Sequence, residues 1–234
     1  GTNGFRLDFN DNSSTAALGI DKSPNGNDFT ANNFSVSSGV GNDSVIDSPT
    51  NNFCTWNSSF GNPSNYLVPT EGNLQCNGVS GNNHMRQQAT MPLHSGKWYC
   101  ELKFISGYET ADSTIRMGVC TPNAGHRTSN NDGLNYENSN NFTTVNYAPH
   151  EGSVYEVIAN SSTTKISSLT TLANGDVMGI ALDLDNDKFF VSKNGTFFSN
   201  GTGTQDPVTG TNPLYSGGVL TSRKDLEGYV IAAG

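Results

Sequence analysis

Charge is scarce in this chain: only 14% of its 234 residues are Asp, Glu, Lys or Arg, and they sum to −9. Hydrophobic residues are scarce too, at 33%. Low charge argues against the self-repelling kind of disorder, while low hydrophobicity limits the core to a few concentrated segments. No run of about 18 apolar residues occurs, so no helical membrane span is expected. With 21 acidic against 12 basic residues, phosphate neutralisation is disfavoured and nucleic acid is not an expected partner. What fills the space is uncharged polarity: 26 glycines, and about 30 asparagines with abundant Ser and Thr, residues that favour turns over helices.

The four cysteines, Cys54, Cys76, Cys100 and Cys120, form no C-x-x-C pair. A chain of this length can build a core without staples, so the expectation is reduced, structural thiols, with Cys54 to Cys76 as the bridge to consider. Cys100 and Cys120 fall in strand-like runs, where a thiol behaves as a small hydrophobe. The chain opens on Gly1-Thr2-Asn3-Gly4, with neither an initiator Met nor the apolar stretch of a signal peptide. The expectation is a piece of a longer polypeptide.

Alternating segments separated by Asn, Gly and Ser predict an all-β chain. Phe5, Leu7 and Phe9 alternate with Arg6 and Asp8, as in a first strand. Residues 10 to 52 are polar, with Leu18, Ile20, Phe29, Phe34, Val36, Val45 and Ile46 as anchors that would pin a wrapping leader to a neighbouring sandwich. Stronger strands are expected at 86–91, 96–104, 115–120, 153–158 and 229–233. In 96–104, Trp98, Cys100, Leu102 and Phe104 share the face assigned to packing, and Tyr99 is the exception on the polar side. Residues 122 to 147 read as a long loop. The clearest pattern is a meander over 175–198, where Asn194-Gly195 between apolar runs predicts a type I′ turn.

The ordered set Gly96-Lys97-Trp98-Tyr99-Cys100-Glu101, Met117-Gly118-Val119-Cys120, Gly175-Asp176-Val177-Met178-Gly179-Ile180-Ala181-Leu182-Asp183 and Lys193-Asn194-Gly195 resembles the SPRY domain. The resemblance implies a two-sheet antiparallel β-sandwich of concanavalin-like, jelly-roll type over residues 71–234, with its closing strand beyond 234 or supplied from elsewhere. Residues 1–70 would be the N-terminal strand and leader packed on it. That leader, through Gly1–Phe9, Ser23–Thr30, Ala31–Val36 and Asn42–Asn52, is similar to a module preceding SPRY domains in bacteriophage virion proteins such as tail fibres. The resemblance implies a non-enzymatic display domain located in the virion and assembled in the host cytoplasm. Its partners would be other virion proteins and a host-surface glycan or protein, and it would be homo-oligomeric through the parent fibre. Three alternatives stand beside it: a decoration or assembly domain contacting only virion proteins; a carbohydrate-active, depolymerase-like domain; and, least in keeping with the Asn- and Gly-rich composition, a cellular SPRY adaptor that binds a peptide.

Catalysis finds little support in the residues. Glu101, Glu109, Glu137, Glu151 and Glu156 are scattered rather than alternating on one strand as in a concanavalin-like glucanase. His84, His94, His126 and His150 show no metal-ligand spacing, and there is no nucleophile elbow or phosphate loop. Asp183, Asp185 and Asp187 suggest calcium, but Lys188 and Asn194 stand where an EF-hand loop needs Gly and Glu; a solvated turn is expected. No catalytic residue, metal or cofactor is assigned. For binding, aromatics among asparagines suit a glycan, since rings stack on sugar C–H faces while amides meet hydroxyls. His126, Arg127, Tyr136, Phe142 and Tyr147 form the first candidate set, and Trp56, Tyr66 and Arg86, with His84 beside them, the second. The competing reading is that these aromatics anchor loops to the sheet.

Overall fold

A computed structural model describes residues 1–37, 42–44, 52–60, 67–77, 86–105, 115–122, 134, 142–158, 161–223 and 228–234. Contacts gather the chain into two units: residues 1–56 with 69–77, and residues 57–68 with 78–234.

The larger unit is an antiparallel β-sandwich. Its strands are β3 (Gln87–Gln88), β4 (Lys97–Lys103), β5 (Met117–Cys120), β6 (Thr143–Ala148), β7 (Ser153–Ile158), β8 (Ser161–Ile166), β9 (Val177–Asp183), β10 (Lys188–Lys193), β11 (Thr196–Phe197) and β12 (Val230–Ala233), with one short helix, α1 (Val219–Arg223). One sheet has four strands in the order β11-β10-β9-β4; the other has six, β3-β12-β5-β6-β7-β8. The expected meander is β9-β10-β11, and its second turn places Asn194 and Gly195 at φ 49° and 79°, the left-handed pair that a type I′ turn requires.

Side chains of a strand point alternately to its two faces. In the four-stranded sheet this puts Met178, Ile180, Leu182, Phe189 and Val191 on the inner face, all buried. The inner face of the six-stranded sheet presents Val119, Val145, Tyr147, Val154 and Glu156. The two faces meet where the Tyr147 ring lies 5.6 Å from Phe198 and where Tyr215 Oη donates to Glu156. Glu156 also pairs with Lys165 at 2.7 Å. Burial, then the Glu156 carboxylate, push the Tyr215 phenol well above its ordinary pKa.

The six-stranded sheet is buried on its outer face as well. There Cys120, Val157, Val230 and Ala232 pack with Leu134 and Phe142 in one cluster. Gly118 in β5 tolerates no side chain, because a Cβ would lie 2.2 Å from the Val145 carbonyl oxygen and 2.6 Å from Asn146 Cα. At the sheet's end the buried Arg116 guanidinium stacks 3.8 Å from the centre of the Tyr155 ring and lies 3.9 Å from Glu151.

Two expectations for this unit need correction. Residues 143–147 are not loop: Thr143–Ala148 is a fully buried central strand, hydrogen-bonded on both sides to β5 and β7. Trp98 is not a core residue, for it lies on an edge strand and keeps 46% of its surface exposed.

The smaller unit holds a 3-10 turn at Ala16–Gly19 and, but for Val68, the hairpin of β1 (Val68–Thr70) and β2 (Gln75–Asn77). Its organising residue is Asp21, whose carboxylate accepts the backbone N–H groups of Arg6, Ser23 and Asn27 and the Ser23 hydroxyl. The Ser23 hydroxyl leads in holding this carboxyl well below the usual range. The Asn25 and Asn27 amides donate to the Gly1, Thr2 and Gly4 carbonyls. Residues 5–9 are accordingly irregular rather than a strand, tied down by side chains instead of a ladder. Of the expected anchors, Leu18 is buried and Val36 half-buried, whereas Ile20, Phe29 and Phe34 are exposed. Val45 and Ile46 lie outside the described residues. No helix among the described residues is long and apolar enough to cross a membrane.

Candidate interaction surface

The candidate residues from sequence separate into three groups. His126, Arg127, Tyr136 and Tyr66, with His84, lie outside the described residues. Trp56, in the smaller unit, is half-buried, with its backbone N–H donated to the Asn73 carbonyl. Arg86, Phe142 and Tyr147 are completely buried.

Those three are packing residues. The Arg86 guanidinium carbon sits 5.0 Å from the centre of the Phe142 ring and 5.5 Å from that of Phe60, a cation held between two aromatic faces. Tyr147 faces the other sheet, and its hydroxyl donates to the Thr170 carbonyl. Neither ring has surface to offer a ligand. The anchoring reading weighed for these aromatics is the one their burial matches.

The Asp183, Asp185 and Asp187 carboxylates each bond a different partner, the first nearby in the chain and the other two far along it. Asp183 accepts the Asn186 backbone N–H and side-chain amide, Asp185 the Gly96 N–H, and Asp187 the Gly218 and Leu220 N–H groups at the start of α1. Far from being a solvated turn, Asp183 and Asp187 are buried. Among the described residues no three His, Cys, Asp or Glu side chains are grouped to hold a metal ion. The four cysteines are free thiols; Cys54 is exposed, and burial pushes the Cys76 thiol up to about 12.

Among the described residues of the sandwich, the most exposed aromatic rings lie along β4. Trp98 keeps 46% and Tyr99 54% of its surface exposed, one on each face of an edge strand. Neither ring is loose. Trp98 Nε1 donates to the Ser95 carbonyl at 2.7 Å, and Tyr99 Oη donates to Glu101 Oε1 at 2.7 Å. Tyr99 lies down on the sheet because Gly179 is beneath it; a Cβ there would be 2.7 Å from Tyr99 Oη and 2.2 Å from Ser192 Oγ. Partial burial, then the hydrogen bond to Glu101, raise the Tyr99 phenol.

At the Lys97 end of the same outer face stands a fixed turn. Asp206 accepts the N–H groups of Val208 and Thr209 and the Thr209 hydroxyl, and that hydroxyl leads in holding the carboxyl low. Two lysines clamp the same turn to the sheet: Lys97 Nζ donates to the Val208 carbonyl at 2.8 Å and Lys188 Nζ to the Gly210 carbonyl at 2.7 Å. Val208 at its tip is 81% exposed. Pre-ordered apolar and aromatic groups of this kind lose little entropy on binding. The sequence did mark Tyr99 as an aromatic among Lys97, Glu101 and Lys103; Val208 carried no signal.

Among solved structures, the chain is similar to the SPRY domain of human HERC1, at 12% identity and TM-score 0.41, over 63% of this chain and 72% of that one. It is similar to the TRIM65 PSpry domain at 15% and 0.43, over 77% and 83%. It also resembles the stonustoxin structure at 16% and 0.42, over 77% of this chain and 25% of that one. No protein-family model matches the chain. No curated protein matches it either. The chain is a two-sheet antiparallel β-sandwich, and the solved structures it is similar to include SPRY domains.

Proposed function

We infer that this chain is a non-enzymatic interaction domain whose partner engages the exposed side chains of β4 and the Val208 turn. The observation that carries the reading is the pair Trp98 and Tyr99, exposed yet each held by a hydrogen bond, on the strand whose Lys97 clamps the Val208 turn. Aromatic rings fixed on a strand suit stacking on sugar rings, and apolar tips suit protein surfaces. The commitments of Glu156, Asp183 and Asp187 to internal partners favour binding over hydrolysis.

The setting we propose is a bacteriophage virion appendage such as a tail fibre, with a host-surface glycan or protein as partner. Its support is the resemblance of the leader to the module that precedes SPRY domains in such proteins. Weak single contacts would add up through several copies in one particle. The test is an array of bacterial surface glycans probed with the full chain coupled to a multivalent scaffold. Saccharide-specific retention that Trp98→Ala and Tyr99→Ala abolish supports the reading. Retention indifferent to both substitutions, or none at any valence, removes the glycan partner.

A further inference from the structure

The same strand carries a pattern that fits its own copy. In β4 the backbone groups of Gly96 and Phe104 point to β9: the Gly96 carbonyl accepts Leu184 N–H, while Phe104 donates to Asp176 and accepts from Gly175. Hydrogen-bonding direction alternates along an antiparallel strand, so Lys97, Tyr99, Glu101 and Lys103 turn their N–H and C=O groups outward. Among the described residues no strand pairs with that edge. The side chains of these four residues also share one face of the sheet, the outer one.

Lysines along an edge normally prevent edge-to-edge association. Here Glu101 stands between two of them, and the pattern becomes selective for register. Consider two antiparallel copies of β4 with at least three outward residues facing one another inside Lys97–Lys103. If the two-fold axis passes by Cys100, Lys97 faces Lys103 of the other copy, twice. If it passes by Glu101, the two glutamates face each other. With the axis at Tyr99, Lys97 faces Glu101 in both directions and the two Tyr99 rings stand side by side. Directly opposed cross-strand residues favour opposite charges and paired aromatics. A two-fold contact of this kind is also closed, so it stops at two copies.

We propose that β4 is a homodimerisation edge, pairing antiparallel with β4 of a second copy in the register Lys97 to Glu101 and Tyr99 to Tyr99. The two four-stranded sheets would join into one, with the paired Tyr99 rings and both Val208 turns on its outer face. The inference needs no glycan and does not depend on one.

Sedimentation equilibrium of the full chain tests it. The wild type is expected to dimerise. Glu101→Lys alone and Lys97→Glu alone each set like charges opposite and should weaken the dimer at least tenfold, whereas an equimolar mixture of the two should form the heterodimer. Because Lys97 also clamps the Val208 turn, its variant is checked for folding by circular dichroism. A second variant avoids that position: Tyr99→Cys in a Cys54→Ser background should oxidise to a dimer linked through the two substituted sites, located by peptide mass spectrometry. A monomeric wild type, a dimer unaffected by Glu101→Lys, or a link found elsewhere would overturn the proposal. Glycan retention by a monomer would leave the proposed function standing while this inference fell.

Discussion

Asp187, in the turn between β9 and β10, accepts the backbone N–H of Leu220 at 2.7 Å, joining the meander to the start of α1 across 33 residues. The same carboxylate takes the Gly218 N–H. A residue that reads in sequence as a third acid of a calcium loop is thus a helix cap. Replacing it with Ala leaves buried donors without acceptors and should cost about 1–3 kcal/mol. Urea unfolding measures that loss, and millimolar calcium should leave the wild-type midpoint unchanged. A calcium-dependent rise in Tm would contradict the capping role.

Phe142 and Arg86 belong to the core, so truncating the ring should act on stability. Phe142→Ala is expected to cost about 3–5 kcal/mol, the range for emptying a buried aromatic site. A variant that kept its stability while losing a ligand would return Phe142 to the binding surface.

Gly118 makes a sharper packing prediction. A methyl group there meets the backbone of β6, which cannot step aside without breaking its ladders. Gly118→Ala should therefore cost at least about 1–3 kcal/mol, the usual overpacking penalty. Thermal unfolding with an unchanged midpoint would show that β5 and β6 do not lie as described.

The ion pair of Asp176 and Lys193, at 2.8 Å, gives a pH dependence. Lys193 leads in holding the Asp176 carboxyl below its ordinary pKa, with the Asn194 amide and the Ala173 N–H helping. A depressed carboxylate stabilises the fold above the unfolded pKa, near 4, and that contribution fades as pH falls through the folded value. Being partly exposed, the pair is worth about 1 kcal/mol at most. Asp176→Asn should lower stability at pH 7 by that amount, and the difference from wild type should shrink as pH falls below about 4. A difference that did not shrink in acid would point to a cause other than charge.

The meander, β4, β5, β7 and β12 were legible because alternation and turn chemistry are local: Asn194-Gly195 needs only its own two φ angles. Thr143–Ala148 was not. Its Thr-Val-Tyr alternation sits directly after an Asn-rich stretch, and its burial on both faces comes from Leu134, Phe142 and the opposite sheet, which no window of sequence contains. The leader failed in the opposite sense. Phe5 and Phe9 alternate like a strand, but Asp21, Asn25 and Asn27 claim the nearby backbone groups and leave both rings exposed. The same burial hid the surface: Phe142 and Tyr147 looked like loop aromatics, while Trp98 looked like core because alternation cannot tell an edge strand from a central one.

The most direct measurement sets the two locations against each other. Retention of the multivalent chain on the bacterial glycan array is compared for wild type, Trp98→Ala, Tyr99→Ala and Tyr147→Phe, each confirmed as folded. Loss of at least tenfold in the two β4 variants with Tyr147→Phe unchanged is the predicted result. Retention that survives both β4 substitutions and falls with Tyr147→Phe would contradict the placement of the interaction surface on the four-stranded sheet.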